Sequence, residues 1–97
     1  MASLAQQTEL ATWIDHSLDY LTREWRAIPE IASEWNIWDE ADRLDFVLEW
    51  PLREDALRQL RQWNSEGRLT SAQRGRYEQL RELIQQHRAT LECLLED

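Results

Sequence analysis

SEWNIWDEADRLDFVLEWP, residues 33–51, is the stretch on which the fold of this chain depends. It holds six acidic side chains and four large aromatic ones, Trp35, Trp38, Phe46 and Trp50. Each large aromatic side chain has about 150–250 Å² to bury, so these rings either pack inside the protein or meet another molecule. The choice between these two arrangements decides what forms the core and what remains on the surface.

A helix through residues 37–50 has two apolar faces. The aliphatic face collects, at about 100° per residue, the residues Ile37, Ala41, Leu44 and Leu48. Phe46 lies nearly opposite, followed one turn later by Trp50, and carboxylates separate the two faces. We expect the aliphatic face to be the ordinary core face. The aromatic face then either packs against another helix of this chain or forms a docking surface, and the sequence leaves both alternatives open.

The composition favours helices throughout the chain. The 97 residues include two Gly, two Pro and a single Val, whereas β-rich folds depend on β-branched residues in strands and on Gly in turns. Leu, Gln, Glu, Arg and Ala are abundant, and these residues lose little conformational freedom in a helix. The sequence therefore predicts an all-α protein. Its length is typical of a single domain, residues 1–97.

Apolar periodicity divides this domain into helices. Apolar residues recur every three or four positions along residues 4–28 and along residues 71–95, and each repeat predicts a long helix with a continuous core face. Between them we expect helices at about residues 39–50 and 52–66, with residues 29–38 forming a helical turn or a loop. Short links favour antiparallel neighbours, so the predicted architecture is a compact bundle of four to five antiparallel helices.

Local signals predict where these helices begin and end. Three sites have the form of N-terminal caps, in which a short polar side chain accepts a bond from a backbone N–H: Ser3 with Gln6, Asp39, and Thr70 with Gln73. Gly67 has the position of a C-terminal cap, where a left-handed residue ends the helix. Pro51 should break the helix before it or start a new one, because proline has no N–H to donate.

The charge is negative overall and unevenly distributed. The formal net charge is −8, and residues 30–55 carry nine acidic residues against two Arg. Residues 56–91 carry seven Arg against three acidic residues, and every basic residue in the chain is Arg. Arg74, Arg81 and Arg88 repeat every seven positions along the last predicted helix, which favours pairing with carboxylates of a neighbouring helix. The acidic middle, residues 30–55, either forms ion pairs with the basic residues 56–91 or binds another molecule.

The sequence favours a cytoplasmic protein. A single cysteine, Cys93, excludes an intrachain disulfide. The first ten residues, MASLAQQTEL, lack the basic start and apolar run of a signal peptide. No apolar segment is long enough to cross a bilayer, so we expect no membrane partner.

Residue patterns for catalysis and for ligand binding are missing. The chain has no Gly-rich phosphate loop and no nucleophile motif, so we expect neither an enzyme nor a small-molecule substrate or cofactor. His16 and Asp19 are three positions apart on a predicted helix and could bind one metal ion together, but no second pair of possible ligands accompanies them. One His and one carboxylate do not make a zinc site, and we predict no bound metal.

Residues 33–51, which we call the acidic aromatic segment, best predict a protein that binds a basic partner protein. Aromatic anchors with surrounding charges are typical of binding interfaces. The predicted contact residues are Trp35, Trp38, Asp39, Asp42, Asp45, Phe46, Glu49 and Trp50. The composition is similar to that of small acidic helical bacterial proteins that restrain a basic partner, antitoxins and inhibitors among them. An adaptor or an assembly subunit would use the same surface.

Two other functions remain as alternatives. The protein could associate with itself, the acidic middle of one copy meeting the Arg-bearing helix of a second and the wide apolar face of the first helix forming the seam. Nucleic-acid binding through the Arg side chains of the C-terminal helices is a distant third, because a net charge of −8 opposes phosphate binding.

Overall fold

The chain is almost entirely helical in the computed structural model, which describes residues 4–96. The helices are α1 (Leu4–Arg26), α2 (Ile28–Glu34), α3 (Glu40–Ser65) and α4 (Ser71–Glu96), with a 3-10 turn at Trp35–Ile37. No strand occurs among the described residues. The predicted all-α class is therefore confirmed. The cap predicted at Ser3 lies outside the described residues.

Three long helices replace the four to five that were predicted, because α3 continues through Pro51 without a break. A proline inside a helix removes one hydrogen bond and costs about 3 kcal/mol. Pro51 lies on the exposed side of α3, where water can bind the freed carbonyl group. Trp50 and Leu57 on the other side are buried in the core. Tertiary packing before and after the proline thus outweighs its local cost.

The three long helices alternate in direction, so that α1 and α4 run parallel. Gln73, in the first turn of α4, donates from its side-chain amide to the carbonyl of Ala11 in α1. Arg88, about four turns further along α4, lies over the ring of Trp25 near the end of α1. Residues 66–70 join α3 to α4 by a short link, which makes these two helices antiparallel. The predicted arrangement with only antiparallel neighbours is therefore wrong for α1 and α4.

The core follows the periodic faces predicted for the first and last helices. The buried positions of the first face are Ile14, Leu18, Leu21, Trp25 and Ile28. Those of α4 are Tyr77, Leu80, Ile84, Leu91 and Leu94. The face of α1 contacts both α3 and α4, as expected from its width. The short helix α2 packs against α4 and extends the core towards the aromatic segment.

The face of α3 that enters the core is the aromatic one, and the predicted assignment of its two faces is wrong. Trp35, Phe46 and Trp50 are buried. The aliphatic residues predicted as core, Ile37, Ala41, Leu44 and Leu48, are exposed. Burying the rings removes more apolar area from water than burying the aliphatic side chains would. The rings also find partners in neighbouring helices, which a helical wheel of one segment cannot show.

Caps at the predicted positions fix the ends of α3 and α4. Asp39 accepts a bond from the backbone N–H of Asp42 at 2.8 Å. Thr70 and Gln73 form the reciprocal bonds of a capping box, at 2.9 and 3.1 Å. Gly67 has φ 72°, the left-handed conformation in which glycine ends a helix without strain. These three local predictions are confirmed.

The heptad-spaced Arg residues of α4 pair less uniformly than predicted. Arg88 bonds across to Glu54 of α3 at 2.8 Å. Arg81 pairs with Glu78 in its own helix instead. Arg74 donates to the hydroxyl of Ser71 at the start of α4. Only Arg88 therefore makes the expected ion pair with a neighbouring helix.

The two glycines should respond in opposite ways to replacement by alanine. Gly75 lies inside α4, and a Cβ added there would meet nothing within 4 Å. Gly75→Ala should stabilise the protein by about 0.8–1.0 kcal/mol, the difference in helix propensity. Gly67→Ala should destabilise it by about 1–2 kcal/mol, because a side chain disfavours the left-handed conformation. Urea denaturation of both variants measures the difference, and a loss of stability in Gly75→Ala would contradict this account of α4.

Candidate functional site: an acidic pocket with an aromatic floor

A pocket of about 340 Å³ lies where the end of α1 and the middle of α2 meet the first half of α3. We call it the acidic pocket. Its lining residues come from these helices and from the turn before α3: Glu24, Ile31, Trp38, Asp42, Asp45, Phe46, Glu49 and Arg53. Four carboxylates and one guanidinium thus surround three apolar side chains.

The cap at Asp39 determines which α3 residues face the pocket. Because α3 begins directly after this residue, Asp42, Asp45 and Glu49 follow at intervals of three and four positions and share one side of the helix. Phe46 lies beside them and points further into the protein, where it is buried. The helix start therefore places the carboxylates at the rim and the ring below them.

Ring contacts hold the aromatic floor in place. Phe46 packs edge to face against Trp38, with ring centroids 6.1 Å apart, and against Trp35 at 5.6 Å. Its other neighbour is Trp50, at 5.5 Å. Trp35 and Trp50 lie behind the floor in the core, whereas Trp38 is only half-buried. Trp38 is therefore the ring of this cluster that is most available to a bound group.

The charges of the pocket divide into one internal pair and three free carboxylates. Arg53 is bonded to Glu24 at 3.2 Å and lies over the ring of Trp50 at 5.3 Å. Among residues 4–96, neither Asp42, Asp45 nor Glu49 takes part in an ion pair. These three carboxylates give the open side of the pocket an uncompensated negative charge.

This combination suits a cationic side chain better than a metal or a neutral ligand. Carboxylates accept charge-assisted hydrogen bonds from Lys and Arg, and an indole ring attracts a cation within about 6 Å of its centre. No cluster of His, Cys, Asp and Glu in the described part of the chain is arranged to hold a metal ion. A guanidinium or ammonium group is the ligand class that the geometry favours.

The sequence predicted most of the residues that line this pocket and missed three of them. Five of the eight predicted contact residues line it: Trp38, Asp42, Asp45, Phe46 and Glu49. Trp35 and Trp50 are buried behind it, and Asp39 caps α3. Glu24, Ile31 and Arg53 were not predicted, since they lie outside residues 33–51. The packing of the helices brings Glu24 and Ile31 to the pocket, whereas Arg53 follows Glu49 by one turn of α3.

No protein-family model matches this chain, and no curated protein or solved structure is significantly similar to it. Within residues 4–96 no helix combines the length and apolarity that crossing a bilayer requires. The chemistry of the acidic pocket is therefore the basis for a functional proposal.

Proposed function

We propose that this protein is an interaction module that docks onto a basic partner protein, with a Lys or Arg side chain of the partner entering the acidic pocket. The observation that carries the proposal is the group of unpaired carboxylates, Asp42, Asp45 and Glu49, beside the half-buried ring of Trp38. The rim charges would speed the encounter with a basic surface, and contacts inside the pocket would slow release.

Docking of this kind acts by occlusion of the partner's basic surface. An inhibitor or an antitoxin-like protein would use it to block a functional site, and an adaptor would use it to recruit the partner. We place this activity in the cytoplasm. The exposed, unpaired thiol of Cys93 is compatible with a reducing compartment.

Self-association through the wide apolar face of α1 has less support. The wide face of α1 is occupied by α3 and α4 of the same chain. Arg76 and Arg88, which would meet the acidic middle of a second copy, already pair with Asp15, Asp19 and Glu54. The wide face of α1 and two of the four Arg residues of α4 are thus engaged within one molecule.

Nucleic-acid binding also finds little support in the Arg side chains of the second half. Five of the seven Arg residues between positions 56 and 91 form ion pairs within the chain: Arg58, Arg68, Arg76, Arg81 and Arg88. Paired guanidinium groups attract phosphate less than free ones, and the net charge of −8 opposes approach to a polyanion.

The test compares capture of partners by the wild-type chain and by Asp45→Asn/Glu49→Gln. Both side chains are exposed, so the fold should be unaffected. Immobilised protein is incubated with extract of its own cells at low salt, and retained proteins are identified by mass spectrometry. We expect the wild-type chain to retain a protein with a basic surface, and the pocket variant to retain it at least about tenfold less, since two charge-assisted contacts are lost.

The matched control is Glu92→Gln/Glu96→Gln, which removes the same charge from exposed positions near the end of α4. It should retain the partner as the wild-type chain does. Equal loss in both variants would show that only net charge matters. Unchanged retention by the pocket variant would contradict the proposal.

A further inference from the structure

The apolar side of α3 that faces away from the core is not explained by the acidic pocket. Leu44, Leu48 and Leu52 fall within an arc of about 80° at 3.6 residues per turn, together with Ala41. We call these four residues the apolar stripe. Leu44, the least exposed of the three leucines, is still 55% exposed, and the preceding Ile37 is 83% exposed. A row of exposed large aliphatic side chains marks an interaction surface.

The spacing of the stripe matches the seam of a helix pair. Its members follow at intervals of three, four and four residues, which is the spacing by which one helix packs against another. The stripe spans about 16 Å at 1.5 Å per residue, or about three turns of helix. Beside it, Leu44 and Val47 form one wall of a depression of about 340 Å³ that can receive side chains. The occupant that fits this shape is another amphipathic helix.

The charged residues on either side of the apolar stripe indicate which kind of helix binds there. Asp45 lies three and four positions from Leu48 and Ala41, and Glu40 lies on the opposite flank. Flanking positions of paired helices face each other across the seam. In a pair of two copies, the carboxylates Glu40, Asp45 and Glu49 beside one stripe would meet the same three carboxylates beside the other. Arg43, which lines the depression next to Leu44 and Val47, is a single basic residue against these three acidic ones. Charge complementarity therefore favours a partner with Lys or Arg beside its apolar row, over a second copy.

We propose that the partner binds as an amphipathic helix of about three turns, with its apolar row on the apolar stripe and basic residues over Asp45, Glu49 and Glu40. The inference rests on the proposed function, because the acidic pocket adjoins one flank of the stripe through Asp45 and Glu49. A basic residue of that helix would then be the side chain that enters the pocket. The rings below the pocket hold α3 and are not contacted by the partner's apolar row.

The experiment uses three synthetic peptides of about 20 residues, long enough for a helix of three turns to form on binding. One has Leu at heptad positions with Arg flanks, the second has the same Leu positions with Glu flanks, and the third is the Arg peptide scrambled to remove the pattern. Each is titrated into the full ¹⁵N-labelled chain, and amide shifts are followed. We expect the Arg-flanked peptide to shift the signals of Leu44, Leu48 and Leu52 and to bind at least tenfold tighter than the other two.

Two variants locate the site. Leu44→Gln/Leu48→Gln changes exposed side chains only, so it should fold normally and lose at least tenfold in affinity for the Arg-flanked peptide. Trp13→Gln, which removes an exposed apolar side chain from α1, should bind it as the wild-type chain does. An unchanged affinity in Leu44→Gln/Leu48→Gln would overturn the inference.

The remaining outcomes separate this inference from the proposed function. If the scrambled Arg peptide binds as tightly as the helical one and shifts only signals around Asp45 and Glu49, the pocket binds cations and the stripe is not used. If the Arg- and Glu-flanked peptides bind the stripe equally, the stripe is a docking site, but the proposal that the acidic pocket selects a basic partner is wrong. A free chain that is a dimer by sedimentation and is made monomeric by Leu48→Gln would assign the stripe to a second copy and overturn the inference. No binding by either helical peptide would also overturn it.

Discussion

Replacing Phe46 by alanine is expected to destabilise the protein by about 3–5 kcal/mol, the usual effect of removing a buried aromatic side chain. Phe46 is 8% exposed and is in ring contact with Trp35, Trp38 and Trp50, so its loss leaves a cavity that rigid rings cannot close. A protein of this size is typically stable by about 5–15 kcal/mol. The variant should therefore unfold at a much lower urea concentration, as followed by circular dichroism.

The matched control for Phe46 is two residues away on the same helix. Leu48 is 66% exposed, and Leu48→Ala should change the free energy of unfolding by no more than about 0.5 kcal/mol. The opposite order of the two effects would mean that α3 turns its aliphatic face to the core. It would also remove the basis for the apolar stripe as a docking surface.

Replacing Trp25 by alanine is expected to have an effect of the same size, about 3–5 kcal/mol. Trp25 is 1% exposed and packs edge to face against Trp50 of α3, with ring centroids 5.2 Å apart. Arg88 of α4 lies over its ring at 5.0 Å, so the substitution also removes a cation–π contact. All three long helices meet at this side chain. Thermal and urea denaturation of the variant measure the loss.

Trp13 provides the control for Trp25, because it is the same residue type on the same helix. It is 57% exposed, and Trp13→Ala should lower the free energy of unfolding by at most about 0.5 kcal/mol. Equal destabilisation by the two substitutions would show that Trp13 is buried as Trp25 is, and would contradict the exposure described for this side of α1. A small effect of Trp25→Ala would contradict the described packing of the three helices.

The candidate site was partly predictable because half of it lies in one short stretch. Asp42, Asp45 and Glu49 follow one another at helical spacing, so a single helix places them together without any knowledge of the fold. Glu24 reaches the same pocket from a position well before that stretch, on α1. Its approach depends on how α1 packs against α3, and no pattern within either segment encodes it. Arg53, in contrast, follows Glu49 by one turn of α3, so helical spacing alone places it beside the pocket.

Gln73 makes both a local contact that the sequence predicts and a long-range contact that it does not. Its capping bond with Thr70 is local and was expected from the spacing of the two residues. Its side-chain amide also donates to Ala11 and Asp15 of α1, about 60 positions earlier, and thereby ties the start of α4 to α1. The sequence predicts the first role and is silent on the second.

By itself, the sequence determined the helical class, the core faces of α1 and α4, and the caps at Asp39, Thr70 and Gly67. These features depend on interactions between residues a few positions apart, whose geometry is the same in any helix. The tertiary structure alone decided that α3 runs through Pro51 and that its aromatic face is the buried one. Both faces are apolar, so the apolar pattern of the helix alone does not show which one is buried. The preference arises only when Trp25 and Trp35 of neighbouring segments offer the rings of α3 a packed environment.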